Sequence, residues 1–246
     1  MLLGVATRRP AVQRRREPRA LPVRHFAKLD RDRARRVGVP EVILGEGKSV
    51  DHLLGIVNAL SERRLGALVS RPTPAQRRAL RAFRPPPGSR TRVRFLAGGR
   101  LVRLSGPLGA RYRPGVVAIL TAGTSDVPLA EEAAALLTEL GVRVVRAYDV
   151  GVAGLHRLLS VVHRVQARKP EVYLVFAGRE GALPTVVAGL VPAPVVGIPT
   201  SVGYGRGGRG EAALNAMLQS CAPLAVVNID AAVPAALFAA QRFALP

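Results

Sequence analysis

The rhythm of apolar and polar positions changes near residue 115. Downstream, short apolar-rich runs alternate with longer stretches of helical spacing. The runs 116–120, 142–147, 172–176, 194–198 and 225–229 predict five strands. The run 116–120 is continuously apolar, as expected for a strand buried on both faces. Helices are predicted over 127–140, closed by Gly141, over 155–167, up to Leu190, over 211–220 and ending near Arg242. Strict alternation of strand and helix implies an α/β fold with a three-layer, doubly wound parallel sheet. Such sheets bind ligands outside the carboxyl ends of their strands.

Upstream, over 21–110, the pattern predicts a smaller α/β unit with strands at 41–44, 66–69, 93–96 and 101–104. Ser49 stands where a helix N-cap belongs, followed by Leu53, Leu54, Ile56, Val57 and Leu60 at helical spacing. Thr73 and Pro74 open a second helix, and the run 85–88 of three prolines and a glycine stops it. Gly106, Pro107, Gly109, Pro114 and Gly115 punctuate the boundary, giving units at 21–110 and 115–246 behind a tail at 1–20. The tail is Arg-rich and poor in acids, predicts disorder, and is compatible with a transit peptide.

The 246 residues carry a net charge of +21, distributed unevenly. Residues 1–40 hold 12 basic and 3 acidic side chains, and residues 41–115 hold 15 and 4. Residues 116–246 are nearly balanced, with 10 and 9. A basic half could attract nucleic acid, but no aromatics interleave with its arginines for base stacking. A solvated basic face is the favoured reading. One cysteine allows no internal disulfide, and no Cys/His cluster has zinc spacing. No apolar run approaches the roughly 18 residues of a membrane helix. A soluble, cytoplasmic protein without membrane attachment is expected.

Four strand-end loops carry the candidate chemistry. Thr121-Ala122-Gly123-Thr124-Ser125-Asp126 precedes a helix, where small residues and backbone N–H groups suit an anion. Ser125 or Asp126 could equally serve only as helix caps. The loop beginning Asp149-Val150-Gly151 and ending Gly154-Leu155-His156-Arg157 offers a carboxylate, an imidazole and a guanidinium, with Arg146 nearby in sequence. An ordinary glycine turn explains it as well. Glu180, near the start of the next helix, is either a base or a partner of the helix dipole. The run 199–210 contains five glycines and is suited to wrap a ligand, or is a plain connector. Taken alone, Cys221 reads as a small apolar filler at a helix end.

Together these motifs resemble the LarB family. The resemblance rests on Gly123-Thr124-Ser125-Asp126, on the segment from Asp149 to Arg157, on Ala177-Gly178-Arg179-Glu180-Gly181-Ala182-Leu183-Pro184, on Pro199-Thr200-Ser201-Val202-Gly203-Tyr204-Gly205 and on Ser220-Cys221-Ala222. It extends upstream to Gly38-Val39-Pro40-Glu41 and Gly47-Lys48-Ser49 and covers about 28–235. The second unit is also similar to PurE, the aminoimidazole ribonucleotide carboxymutase, but the catalytic His that precedes Leu-Pro in PurE is here Ala182. The chain departs from the LarB pattern at Ala231-Ala232-Val233 and at Arg206 and Arg209.

The resemblance implies carboxylation of nicotinic acid adenine dinucleotide at pyridinium carbon five and cleavage of its phosphoanhydride. The products are pyridinium-3,5-biscarboxylic acid mononucleotide and AMP, for nickel-pincer nucleotide biosynthesis. Carbon dioxide or bicarbonate is the co-substrate. Cys221 would be the covalent nucleophile and Glu180 a general base or metal-linked group. Thr124, Ser125, Asp126, Arg146, Asp149, Arg157, Ser201, Gly203 and Gly205 would bind substrate. Magnesium would be held largely by the phosphates, its protein ligands unknown. The PurE likeness implies a homo-oligomer, an octamer. The competing readings are a PurE-type mutase and, last, a non-enzymatic nucleic-acid binder.

Overall fold

A computed structural model describes residues 20–23, 26–30 and 32–245. The expected tail at 1–20 lies almost wholly outside them. A hairpin, β1 (Ala20–Val23) and β2 (Ala27–Asp30), opens the described chain and is followed by a short helix, α1 (Arg33–Val37). Neither stands out in the sequence, because Pro22 interrupts the first strand and α1 is made largely of arginines. The next elements follow expectation: β3 (Val42–Leu44), α2 (Val50–Glu62), β4 (Ala67–Ser70), α3 (Pro74–Ala82), β5 (Val93–Leu96) and β6 (Leu101–Leu104). The Ser49 side chain accepts the His52 N–H at 3.1 Å. Thr73 and Gln76 form a reciprocal capping box. The sheet order is β3-β4-β6-β5, with β3 and β4 parallel and the other pairs antiparallel.

The second unit runs β7 (Val116–Thr121), α4 (Val127–Glu139), β8 (Arg143–Ala147), α5 (Leu155–Gln166), β9 (Val172–Ala177), α6 (Ala182–Ala188), β10 (Val195–Pro199), α7 (Glu211–Leu218), β11 (Leu224–Val226) and α8 (Ala232–Gln241). Its five strands are all parallel, in the order β11-β10-β9-β7-β8. Along β7 the side chains alternate between two cores. Val117 and Ile119 pack with residues of α4 and α8, whereas Ala118 and Leu120 pack with residues of α5, α6 and α7. The last strand is shorter than the expected 225–229. Val227 still donates to the Gly197 carbonyl at 3.2 Å, but Asp230 then takes a left-handed backbone and turns the chain away. The helices α6 and α7 also stop two residues short of their expected ends, so Cys221 lies beyond α7 in the return toward β11. No helix among the described residues is long and apolar enough to cross a membrane.

Helix α4 lies between the two sheets. Its buried residues share one core with Val39, Leu68 and Leu101 of the first unit and with Ile119 and Leu174 of the second. On the face turned to the first unit, α4 carries Glu132, which is 0% exposed. The carboxylate accepts the Ser70 hydroxyl at 2.7 Å and Arg100 Nε at 3.2 Å, with Arg71 Nε at 3.9 Å. Burying a carboxylate is tolerated only with such partners. Replacing a residue of this set leaves the others desolvated and unpaired. Glu132→Ala is therefore expected to lower unfolding free energy by about 3–5 kcal/mol, read from urea denaturation.

Candidate functional site

The strand order reverses between β7 and β9, since the chain passes from β7 to β8 on one side and then to β9 on the other. At such a point the two following loops diverge and leave a crevice at the carboxyl edge. A cleft of about 520 Å³ lies there, with Ser125, Asp126, Arg157, Arg179, Glu180 and Ala182 among its lining residues.

The loop after β7 is built around Asp126. Its carboxylate is buried and accepts the Gly123 N–H at 2.9 Å and the Thr200 hydroxyl at 2.6 Å. Ser125 faces the cleft, while the neighbouring Thr124 is exposed and lies outside the lining. After β8, Asp149 adopts φ 56°, its N–H donates to Thr121 Oγ1 at 3.1 Å, and its carboxylate pairs with Arg157 Nη1 at 2.7 Å. The pair holds Arg157, in the first turn of α5, against the cleft. Gly151 is required at its position, because a Cβ would come within 2.6 Å of the Ala122 carbonyl oxygen.

After β9, Arg179 stacks over the Tyr204 ring at 4.9 Å and donates to its hydroxyl at 3.1 Å. Tyr204 is 79% exposed, so the pair forms a rim on the cleft. Glu180 is exposed on the lining and has no ion-pair partner among the described residues. The Val202 carbonyl accepts the Arg179 N–H at 3.1 Å, and the Ser201 N–H donates to Asp230 Oδ1 at 2.8 Å. Gly203 and Gly205 extend the glycine loop with φ of 151° and 70°.

Of the residues singled out by sequence, Ser125, Asp126, Arg157 and Glu180 meet at the cleft, and Asp149 supports it. Arg146 does not reach it, because its Nε is held by Glu131 at 3.0 Å on the α4 side of β8. The Cys221 thiol is exposed but not among the cleft residues. Gly181, beside the cleft, backs onto Ala213 near the start of α7. Cys221 comes eight residues later, past the C-terminal end of α7 in the return toward β11. The residues that sequence reasoning passed over are Thr200, Arg179, Tyr204 and Asp230. The first three sit inside quoted motifs, but only the fold shows that Thr200 reaches Asp126.

No three Asp, Glu, His or Cys side chains converge on a metal site among the described residues. The cleft therefore has no cage for a resident metal. Its free carboxylate suits at most one contact to a cation that enters on phosphates.

Burial holds the Asp126 carboxyl above its ordinary 3.8, against the pull of the Thr200 hydroxyl and the Gly123 N–H, and nearby Asp230 adds to the rise. The neutral acid thus favours the fold. That stabilisation is complete below the unfolded value and is lost as pH rises through the raised one. Asp126→Asn removes the titration. The unfolding free energy of the variant minus that of the parent is expected to increase between pH 4 and pH 7, and a pH-independent difference would contradict this assignment. A second substitution tests the closure between loops. A Cβ on Gly178 would lie 2.3 Å from the Val202 carbonyl oxygen. Gly178→Ala is expected to cost about 1–3 kcal/mol in thermal or urea unfolding and to loosen the bond from Arg179.

Comparison with known proteins agrees with this architecture. Residues 116–246 match the AIR carboxylase family, and residues 22–94 match the LarB/PurE-like N-terminal domain. An uncharacterized protein of Methanocaldococcus jannaschii is 38% identical over 215 residues, covering 86% of this chain and 82% of its own length. The N5-carboxyaminoimidazole ribonucleotide mutase of the same organism is 32% identical over 136 residues, 53% of this chain and 80% of that protein. Among solved structures, a PurE2 variant of Treponema denticola is 28% identical over 53% of this chain and 79% of its own, with a TM-score of 0.44.

Proposed function

The chain belongs to the LarB family, a LarB/PurE-like N-terminal domain joined to an AIR carboxylase domain, and we propose that it carboxylates the pyridinium ring of nicotinic acid adenine dinucleotide and hydrolyses the phosphoanhydride. The observation that carries this reading is the cleft itself. It presents the unpaired carboxylate of Glu180 two residues from Ala182, which stands where PurE has its imidazole. The lining contains no histidine, so it lacks the acid–base group of a PurE-type mutase.

A pyridinium ring is electron-poor and does not attack carbon dioxide. Addition of the Cys221 thiolate to ring carbon four converts it to a dihydropyridine whose carbon five is an enamine carbon. That carbon captures carbon dioxide, forming the new carbon–carbon bond. Glu180 then removes the proton from carbon five, the electron pair restores the aromatic ring, and the carbon–sulfur bond breaks with return of the thiolate. Arg157, turned to the cleft by Asp149, is suited to hold a carboxylate or phosphate of the substrate. Water attack on the pyrophosphate releases AMP, and Arg157 at the cleft is suited to the developing charge.

Within one chain the thiol is not among the residues lining the cleft, so this reading takes it from a second copy. Leu218, the last residue of α7 and three residues before Cys221, is 61% exposed, which suits a surface covered by another protomer. The chain therefore acts as a homo-oligomer, with Glu180 of one copy and Cys221 of another at each site.

Mass analysis of products from the dinucleotide and labelled bicarbonate tests the reaction, with biscarboxylated mononucleotide and AMP expected in equal amounts. Cys221→Ala and Glu180→Gln are each expected to abolish carboxylation without unfolding the chain, as both side chains are exposed. Co-assembled in equal amounts, the two variants should regain about a quarter of wild-type activity if sites form between copies. No recovery would place both groups in one chain and defeat the shared-site arrangement.

A further inference from the structure

One side chain of the N-terminal domain bonds to the Asp230 turn, which neighbours the cleft loops. Arg71 follows β4 directly, with φ 49° and its N–H donated to the Arg100 carbonyl at 2.7 Å. Its guanidinium faces Glu132 at 3.9 Å and Glu46 at 3.7 Å. The free end, Nη2, crosses to the second unit and donates to the main-chain carbonyl of Asp230. Asp230 is itself left-handed, with φ 57°. Its N–H donates to the Pro199 carbonyl at 2.8 Å, and its carboxylate receives the Ser201 N–H at 2.8 Å.

The residues flanking Ser201 build the cleft. Thr200 donates to the buried Asp126, and Val202 lines the cavity while its carbonyl holds the Arg179 N–H. We propose that Arg71 is a positioning residue for the cleft, fixing the Asp230 turn and through it the segment from Thr200 to Val202. The geometry gives it that task because a guanidinium offers several donors in a fixed plane. The guanidinium is held by Glu46 of its own domain and by Glu132 of α4, and Nη2 is left to hold a carbonyl whose residue would otherwise relax from a strained backbone. This role rests on the cleft being where the dinucleotide binds.

The full-length protein tests it in two variants. Arg71→Met removes the crossing bond. Arg100→Met removes a partner of the same Glu132 but has no bond to Asp230. Hydrogen exchange of the segments 199–204 and 228–231 is expected to speed up about tenfold in Arg71→Met, with Val116–Thr121 unchanged. The KM for nicotinic acid adenine dinucleotide should rise about tenfold, with kcat within about twofold. Arg100→Met should lower the melting temperature and leave both readouts near wild type. Unchanged exchange in Arg71→Met overturns the proposal, as does the same chain-wide increase in both variants, or local loosening with an unchanged KM. If the wild-type protein does not turn over the dinucleotide, the proposed reaction fails, and the exchange comparison alone decides the role of Arg71.

Discussion

All five strands of the larger sheet point the same way, and that shared direction governs where chemistry can occur. Every loop leaving a carboxyl end meets the start of a helix at one edge. Every return from a helix into the next strand lies at the other. Asp126, Arg157 and Glu180 therefore gather at one edge, whereas Cys221, in a return, is carried away from it. No local rearrangement of side chains reverses this, because the separation is a property of the topology. A reaction that needs both the thiol and the cleft must join opposite edges of the fold, and association of copies is the simplest way to do so. The short β11, only three residues long, keeps Cys221 on an accessible margin.

The charge asymmetry along the chain acquires a structural meaning at α4. The basic excess of residues 41–115 is partly turned inward onto an acidic helix of the other unit. Arg71 and Arg100 face Glu132, while Arg94 and Arg103 pair with Glu139. These contacts bind a domain with no catalytic cluster to the element that begins at Asp126. They also account for part of the positive charge without a nucleic-acid partner. The two units defined by the punctuation at 106–115 consequently share a core, and α4 belongs to both.

Most of the second unit was legible because its strands are apolar-rich runs separated by stretches of helical spacing. Errors fell where hydrogen bonding outlasts or undercuts the apolar pattern. Val227 and Ile229 continue the apolar pattern past the end of β11, so 225–229 reads as strand. The hairpin β1–β2 and the helix α1 lack an apolar signature and owe their placement to packing against α2 and to ion pairs such as Arg36 with Asp30. At the site, the loops were legible and their mutual contacts were not. Thr200 lies 74 residues from Asp126, and Arg71 lies 159 from Asp230. Arg146 looked available from its neighbourhood in sequence, but only the fold brings Glu131 beside it. Spacing along a chain identifies which loops share an edge, not which donor meets which acceptor across it.

The backbone of those loops carries a further constraint. Of the eight non-glycine residues with left-handed φ among the described residues, Asp149, Arg179, Arg209 and Asp230 lie in successive strand-end loops of the larger sheet, and Arg71 lies in one of the smaller. Such conformations persist only when neighbours over-determine them. Here the neighbours are specific: Thr121 Oγ1 and Arg157 for Asp149, the Val202 carbonyl and Tyr204 for Arg179, and Ser201 and Arg71 for Asp230. In these loops a charged side chain therefore helps hold the turn it stands in or beside. Glu180 differs in kind. It follows the strained Arg179 but makes no such bond among the described residues, and its side chain is exposed on the cleft lining. The fold thus separates the groups that shape the cleft from the one available to act in it.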